Sequence, residues 1–141
     1  MNLDFTSKKI RQDLQDLIKS CNIMSIMSKN SISGRKRMKR AAFIMKLKPG
    51  FEKEYKRRHD EIWPELSEIL KKAGISDYSI FLDEETLTLF AVQKLSDNNS
   101  SDDLPGLPVM KRWWNYMSDI METNSDNSPV CIPIKEVFHM D

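Results

Sequence analysis

The stretch Tyr78-Ser79-Ile80-Phe81-Leu82-Asp83-Glu84-Glu85-Thr86-Leu87-Thr88-Leu89-Phe90-Ala91-Val92-Gln93-Lys94 sets two short apolar runs on either side of an acidic link. Residues 78–82 and 87–94 are rich in the aromatic and branched side chains that suit a pleated, half-buried surface. The four polar residues 83–86 are enough to close a hairpin. Working outward, residues 41–48 place Ala41, Phe43, Met45 and Leu47 on one side, the period of a strand, and Pro49-Gly50 ends it. From Phe51 the period turns helical, with Tyr55, Ile62, Leu66, Ile69 and Leu70 on one side and Gly74 as a C-terminal cap. Pro64 has no N–H to donate, so a kink or restart is expected near 61–64. Downstream, the Ser-, Asp- and Pro-rich residues 96–107 predict a loop. Pro108 suits a helix's first turn, and Val109, Trp113, Tyr116, Met117 and Ile120 mark that helix's apolar side. Residues 134–139 alternate and predict a fourth strand.

That order, β-α-β-β-α-β, predicts an α+β, ferredoxin-like fold: a four-stranded antiparallel sheet with two helices on one face. The bare face needs a cover. A second copy laying its sheet against the first is the economical one, so a homodimer of the dimeric α+β barrel type is expected.

At 141 residues, with 40% hydrophobic and 30% charged residues, the composition is that of one ordinary globular domain. The net charge of +1 hides an asymmetry. Residues 1–40 carry ten Lys and Arg against three Asp and Glu, and the remainder twelve against eighteen. An acidic body argues against nucleic-acid binding. Residues 1–37 are expected to form an extension. Its parts are a short amphipathic helix through Ile10, Leu14, Leu17, Ile18 and Cys21, then a basic linker, read as an added docking helix, a disordered basic tail or sequence from an upstream start codon, and residues 38–141 form the working domain. Cys21 and Cys131 have no metal-ligand spacing, and two free thiols fit a reducing compartment. No apolar run approaches the roughly 18 residues of a membrane span, and no secretory h-region is evident, so a cytoplasmic protein is expected. Glycine-rich phosphate loops and a G-x-S-x-G elbow are both missing.

The residues able to carry chemistry cluster in Glu54-Tyr55-Lys56-Arg57-Arg58-His59-Asp60-Glu61-Ile62-Trp63-Pro64-Glu65. Residues four apart on a helix share a face, so Tyr55, His59 and Trp63 would form an aromatic wall around a group that titrates near neutrality. The same spacing also serves a core stripe with a satisfied histidine. Trp113 and Trp114 point about 100° apart on a helix, so one packs inward and the other is left at an edge, as a binding surface or a dimer contact. Tyr78 stands where a loop enters a strand and can overlook one end of the sheet. His139 falls on the last strand, as a surface or interface residue. Asp126-Asn127-Ser128-Pro129 reads as a turn at a pocket rim.

Taken in order, several segments resemble the L-rhamnose mutarotase family. They are 54–65, Asp77-Tyr78-Ser79-Ile80-Phe81-Leu82-Asp83, Lys111-Arg112-Trp113-Trp114-Asn115-Tyr116-Met117, Asp126-Asn127-Ser128-Pro129-Val130 and Lys135-Glu136-Val137-Phe138-His139. The likeness runs from about Met38 to the C-terminus. It implies a small dimeric isomerase that interconverts the anomers of L-rhamnose, or a related monosaccharide, without cofactor or metal. It further implies His59 as proton donor and Tyr55, Tyr78, Trp113 and Trp114 as sugar-binding residues. Ring opening moves one proton off the anomeric hydroxyl and another onto the ring oxygen. His59 is expected to donate to the ring oxygen, with Glu65, Asp60 or a water as the partner base, and Arg57 and Arg58 as ion-pair formers. Two other classes stay open on this scaffold: a noncatalytic dimeric binding module, and a haem-dependent or cofactor-free monooxygenase with His59 as an axial ligand.

Overall fold

The computed structural model describes residues 38–141, and the helix and basic linker expected within 1–37 lie outside the described residues. Strand β1 spans Lys39–Lys46 and helix α1 spans Glu52–Asp60. Helix α2 covers Pro64–Lys72, β2 Ile75–Asp83 and β3 Thr88–Leu95. A 3-10 helix at Ser101–Gly106 precedes α3 at Pro108–Met117 and β4 at Ile132–Ile134. The sheet order is β2-β3-β1-β4, with every pairing antiparallel. This is the expected α+β arrangement.

Register decides the two faces. Phe43 lies opposite Ala91, which in turn faces Ile80, and Met45 and Leu82 both flank Leu89. These side chains meet the helices, where Leu66, Val109, Trp113, Met117 and Ile120 complete the core. The alternate residues point the other way. Ile44 pairs with Phe90 and Ile132, Phe90 with Phe81, and Ala42 with Val92 and Ile134. Phe81 is 62% exposed, and Phe90, Ile132 and Ile134 also face solvent.

The long helical stretch breaks where proline requires. α1 stops at Asp60, and α2 restarts with Pro64 in its first turn, where a missing N–H removes no helical bond. Gly74 follows the C-cap residue Ala73 at φ +87°, and a Cβ there would sit 2.2 Å from the Ser96 Oγ and 3.1 Å from the Asn99 Cα. Only glycine fits this approach, which the bond from the Ser96 N–H to the Gly74 carbonyl, 2.9 Å, draws tight.

Two expectations change. The 96–107 loop contains the 3-10 helix at Ser101–Gly106. The fourth strand, expected over 134–139, is instead Ile132–Ile134, and His139 lies outside any strand. Beyond Ile134 the register continues through side chains alone, with Arg40 gripping Glu136 at 2.7 Å, while Val137 and Phe138 stay 91% and 78% exposed. Alternation of β-formers near a sheet edge carries no burial to enforce a ladder, so pattern alone overextends it.

Candidate active site

Between the helices and the inner sheet face lies a cavity of ≈ 780 Å³. Tyr55, His59, Tyr78, Trp113 and Trp114 all line it, so residues drawn from α1, β2 and α3 meet around one space. Asn127 and Pro129 join its wall from the 126–129 turn, where the Ser128 N–H donates to the Asp126 carboxylate at 3.0 Å.

Tyr55 and His59 occupy successive turns of α1, and their rings stack with centroids 4.2 Å apart. Trp113 meets the imidazole edge-on at 5.4 Å. The His59 Nδ1 lies 3.0 Å from the Tyr55 main-chain carbonyl oxygen. A carbonyl only accepts, so Nδ1 carries the proton and donates it, leaving Nε2 with a bare lone pair in the neutral ring. Among the described residues, Nε2, the Tyr55 hydroxyl and the indole N–H groups of Trp113 and Trp114 have no hydrogen-bond partner.

 Among the described residues no fully buried side-chain nitrogen or oxygen lacks a partner, and His59, Tyr55, Trp113 and Trp114 all line the cavity.

Electrostatics follow from the packing. Burial lowers the His59 pKa below its ordinary value, opposed by the Tyr55 carbonyl and weakly by Asp60. Burial raises the Tyr55 phenol, with further pushes from Tyr78 and Cys131, so these three groups are neighbours. Tyr78 stands on the open side, 41% exposed and 6.5 Å ring to ring from Phe43, yet the protein around its phenol still raises its pKa. Both phenols are therefore protonated at neutral pH, and the imidazole is neutral.

Behind this wall an ionic clamp joins α1 to α3. The Arg58 guanidinium, on a side chain only 10% exposed, donates to the Glu54 carboxylate at 2.7 Å, to the Asp119 carboxylate at 2.7 Å and to the Tyr116 carbonyl. It also lies 4.3 Å over the Tyr116 ring. Glu54 is shared with Arg57, and the two guanidinium groups hold its carboxyl down at about 2. The expectation that Arg57 and Arg58 form ion pairs matches these contacts.

Other candidates fall elsewhere. Because α1 ends at Asp60, Trp63 leaves the face shared by Tyr55 and His59; it packs edge-on against Trp113 at 5.2 Å and beside Tyr116, as a buttress behind the wall. Neither indole of the Trp113–Trp114 pair is stranded at an edge: Trp113 is buried, and Trp114 is partly buried against the core. Glu65 pairs with Arg112 at 2.9 Å and does not line the cavity, whereas Asp60 reaches the rim already paired with Lys56 at 2.6 Å. His139 bonds the Asp141 carboxylate, away from the cavity lining. No group of three or more His, Cys, Asp or Glu able to hold a metal occurs among the described residues.

The family profile described as L-rhamnose mutarotase matches residues 40–140. The chain belongs to the L-rhamnose mutarotase family. Its relatives include the L-rhamnose mutarotase of Flavobacterium johnsoniae, 63% identical over 102 residues, which are 72% of this chain and 95% of the relative. That of Phocaeicola vulgatus is 59% identical over 104 residues, 74% of this chain and the whole of the relative. The crystal structure of L-rhamnose mutarotase FA22100 from Formosa agariphila superposes with a TM-score of 0.69 at 54% identity, over 73% of this chain and 99% of that one.

Within this L-rhamnose mutarotase fold, sequence reasoning missed Phe43, Gln93 and Cys131 as parts of the cavity wall. All three lie on strands or beside them; Phe43 and Cys131 read as ordinary core residues, whereas Gln93 is a polar residue of β3 buried to 2% exposure. Their inward register was the available signal, but nothing in the local pattern separates a cavity wall from a filled core.

Proposed function

We propose that this chain interconverts the α and β anomers of L-rhamnopyranose by acid/base-catalysed opening and closing of the sugar ring. The observation that carries this reading is an imidazole set between the Tyr55 and Trp113 rings, with His59, Tyr55, Tyr78, Trp113 and Trp114 lining one cavity. Indole and phenol faces suit the C–H patches of a deoxyhexose, and their N–H and O–H groups suit its hydroxyls. His59 exchanges protons with the sugar, and Tyr55, Tyr78, Trp113 and Trp114 hold it. Hemiacetal opening needs only proton transfers, and one positioned acid/base group is worth about 10²–10⁴ in rate. The binding-module and monooxygenase readings gain nothing from the family match.

The test is saturation-transfer NMR on the two L-rhamnose anomers. Wild type should accelerate exchange, and His59→Ala should lose about 10²–10⁴ of the acceleration. Exchange as fast with the alanine variant refutes the assignment of His59.

The working unit of this reading is a homodimer. Phe81, Phe90, Ile132 and Ile134 form an apolar patch on the sheet face opposite the helices, a surface that a second copy would bury. Phe81→Asp should yield monomers in sedimentation experiments, and an unchanged dimer would overturn the proposed interface. The working domain is residues 38–141, and the cytoplasm is its proposed location. No helix among the described residues is long and apolar enough to cross a membrane.

A further inference from the structure

We propose that the hydrogen bond from the Asn127 side-chain amide to Asn115 is a latch that holds the turn at 124–128 against α3, so that Asn127 acts as a positioning residue for sugar binding. This inference rests on the mutarotase reading and extends it to what sets the grip on the sugar.

The backbone of the turn singles out one side chain. The Asn124 N–H donates to the Ser128 carbonyl at 2.8 Å and the Asn127 N–H to the Asn124 carbonyl at 3.0 Å, which closes a short hairpin loop over residues 125–127. The last residue of such a loop takes left-handed backbone, the place where glycine is favoured. Asn127 stands there, at φ +65°. Asparagine tolerates that region better than most side chains do, yet glycine meets no hindrance in it at all. What asparagine adds is an amide. Its Nδ2 donates to the Asn115 Oδ1 at 2.9 Å, across the gap to α3.

Within the turn the bonds are dense enough to make it one body. The Asp126 carboxylate accepts from the Ser128 N–H at 3.0 Å, and the Asn124 amide donates to the Ser128 Oγ at 3.0 Å. The base is fixed through the main chain, with the Val130 N–H on the Glu122 carbonyl at 3.1 Å and the Glu122 N–H on the Lys46 carbonyl at 2.9 Å. The Asn127 latch lies at the other end, where a small swing about the base moves the turn most. Asn127 and Pro129 line the cavity, and so does Trp114, the residue before Asn115 on α3. One amide bond therefore ties one wall of the cavity to the helix that carries another. Asn115 itself is exposed and does not line the cavity.

The size of the effect follows from where the bond sits. It is solvent-exposed, so it biases the turn toward α3 without locking it there. With the latch cut, the turn leans away in a share of the molecules, and the apparent affinity for sugar falls by that share. The net worth of one hydrogen bond corresponds to about a three- to tenfold change in such a population. Sugar that is already held has both walls in place, so its proton transfers run at the native rate. The change falls on KM and spares kcat.

Two substitutions cut the latch from opposite sides. Asn115→Ala removes the acceptor at an exposed helix position, where alanine is a good helix former. Asn127→Gly deletes the amide and keeps the left-handed backbone. Saturation-transfer NMR on the L-rhamnose anomers should show KM raised by about three- to tenfold in each variant, with kcat within about twofold of wild type. The double variant should be no worse than either single one, because both break the same bond. Asn115→Asp keeps an oxygen facing the amide and should hold KM within about twofold of wild type. KM raised by less than about threefold in Asn115→Ala, a loss confined to kcat, effects that multiply in the double variant, or a loss as large in Asn115→Asp as in Asn115→Ala would each overturn the proposal. A lower Tm with KM unchanged would overturn it as well, since the pair would then be a structural tie alone. If wild type itself fails to speed anomer exchange, the mutarotase reading falls and this inference with it. If wild type is active and Asn115→Ala equally so, only this inference falls.

Discussion

Replacing Arg58 by methionine keeps an apolar stem of similar length in a slot where the native side chain is only 10% exposed, and removes the charge that joins α1 to α3. The loss can be apportioned. Asp119 has a side chain 61% exposed and regains water when its partner goes, so that pair contributes at most about 1 kcal/mol. Glu54 keeps its Arg57 partner at 2.7 Å, which softens the second loss. The Tyr116 carbonyl loses a charged donor, and such bonds are worth about 1.5–3 kcal/mol. A net destabilisation of about 2–3 kcal/mol is expected, since these contributions overlap. Urea unfolding should show it as a lower midpoint with an unchanged slope, and thermal unfolding as a Tm drop of roughly 10 °C or more. The clamp also sets the spacing between the α1 stack and the Trp113 wall, so KM for L-rhamnose should rise. A stability change below about 0.5 kcal/mol would refute the clamp as described, because that is what an ordinary surface substitution does.

Burial lowers the His59 pKa, and the groups facing it are the Tyr55 carbonyl and phenol, Asp60 and the Trp113 indole. Activity that needs the neutral ring should therefore hold below the ordinary value of about 6.5 and fall only as pH drops through the lowered pKa, which a kcat/KM profile would check. Stability follows the same sign: the unfolded chain takes the proton first, so folding weakens as pH falls below about 6.5. Glu54, held near 2 by Arg57 and Arg58, contributes stability that is present above the ordinary 4.5 and lost as pH falls toward 2, visible in acid titration of the fold. Trp113→Ala should cost about 3–5 kcal/mol in unfolding experiments because it empties a buried site, whereas Trp114→Ala should act mainly on KM. Gly74→Ala should lower stability by at least about 1–2 kcal/mol, measured in urea, because of the positive φ and the approach of Ser96.

The fold was legible wherever local chemistry and burial agree. The hairpin around 83–86, the break before Pro64 and the glycine after α2 each have a residue whose backbone leaves few options. The last strand was misplaced because Val137 and Phe138 look like strand residues but meet no neighbour that would make them one. Tyr55, His59, Tyr78, Trp113 and Trp114 could be named from motifs, and the cavity now joins them. Trp63 was misread because a helical period was carried through the three residues that separate α1 from α2. The Arg58 contact to Asp119 spans 61 residues, and no local pattern encodes such a partner.

The stacking of Tyr55 on His59 within one helix has a mechanical consequence. A rigid rod that shifts or tilts carries both rings together, so their mutual spacing survives distortions that alter the distance to β2 or α3. Wear on this protein from distant substitutions should accordingly register first as looser grip on the sugar, and only later as a slower turnover of sugar already held.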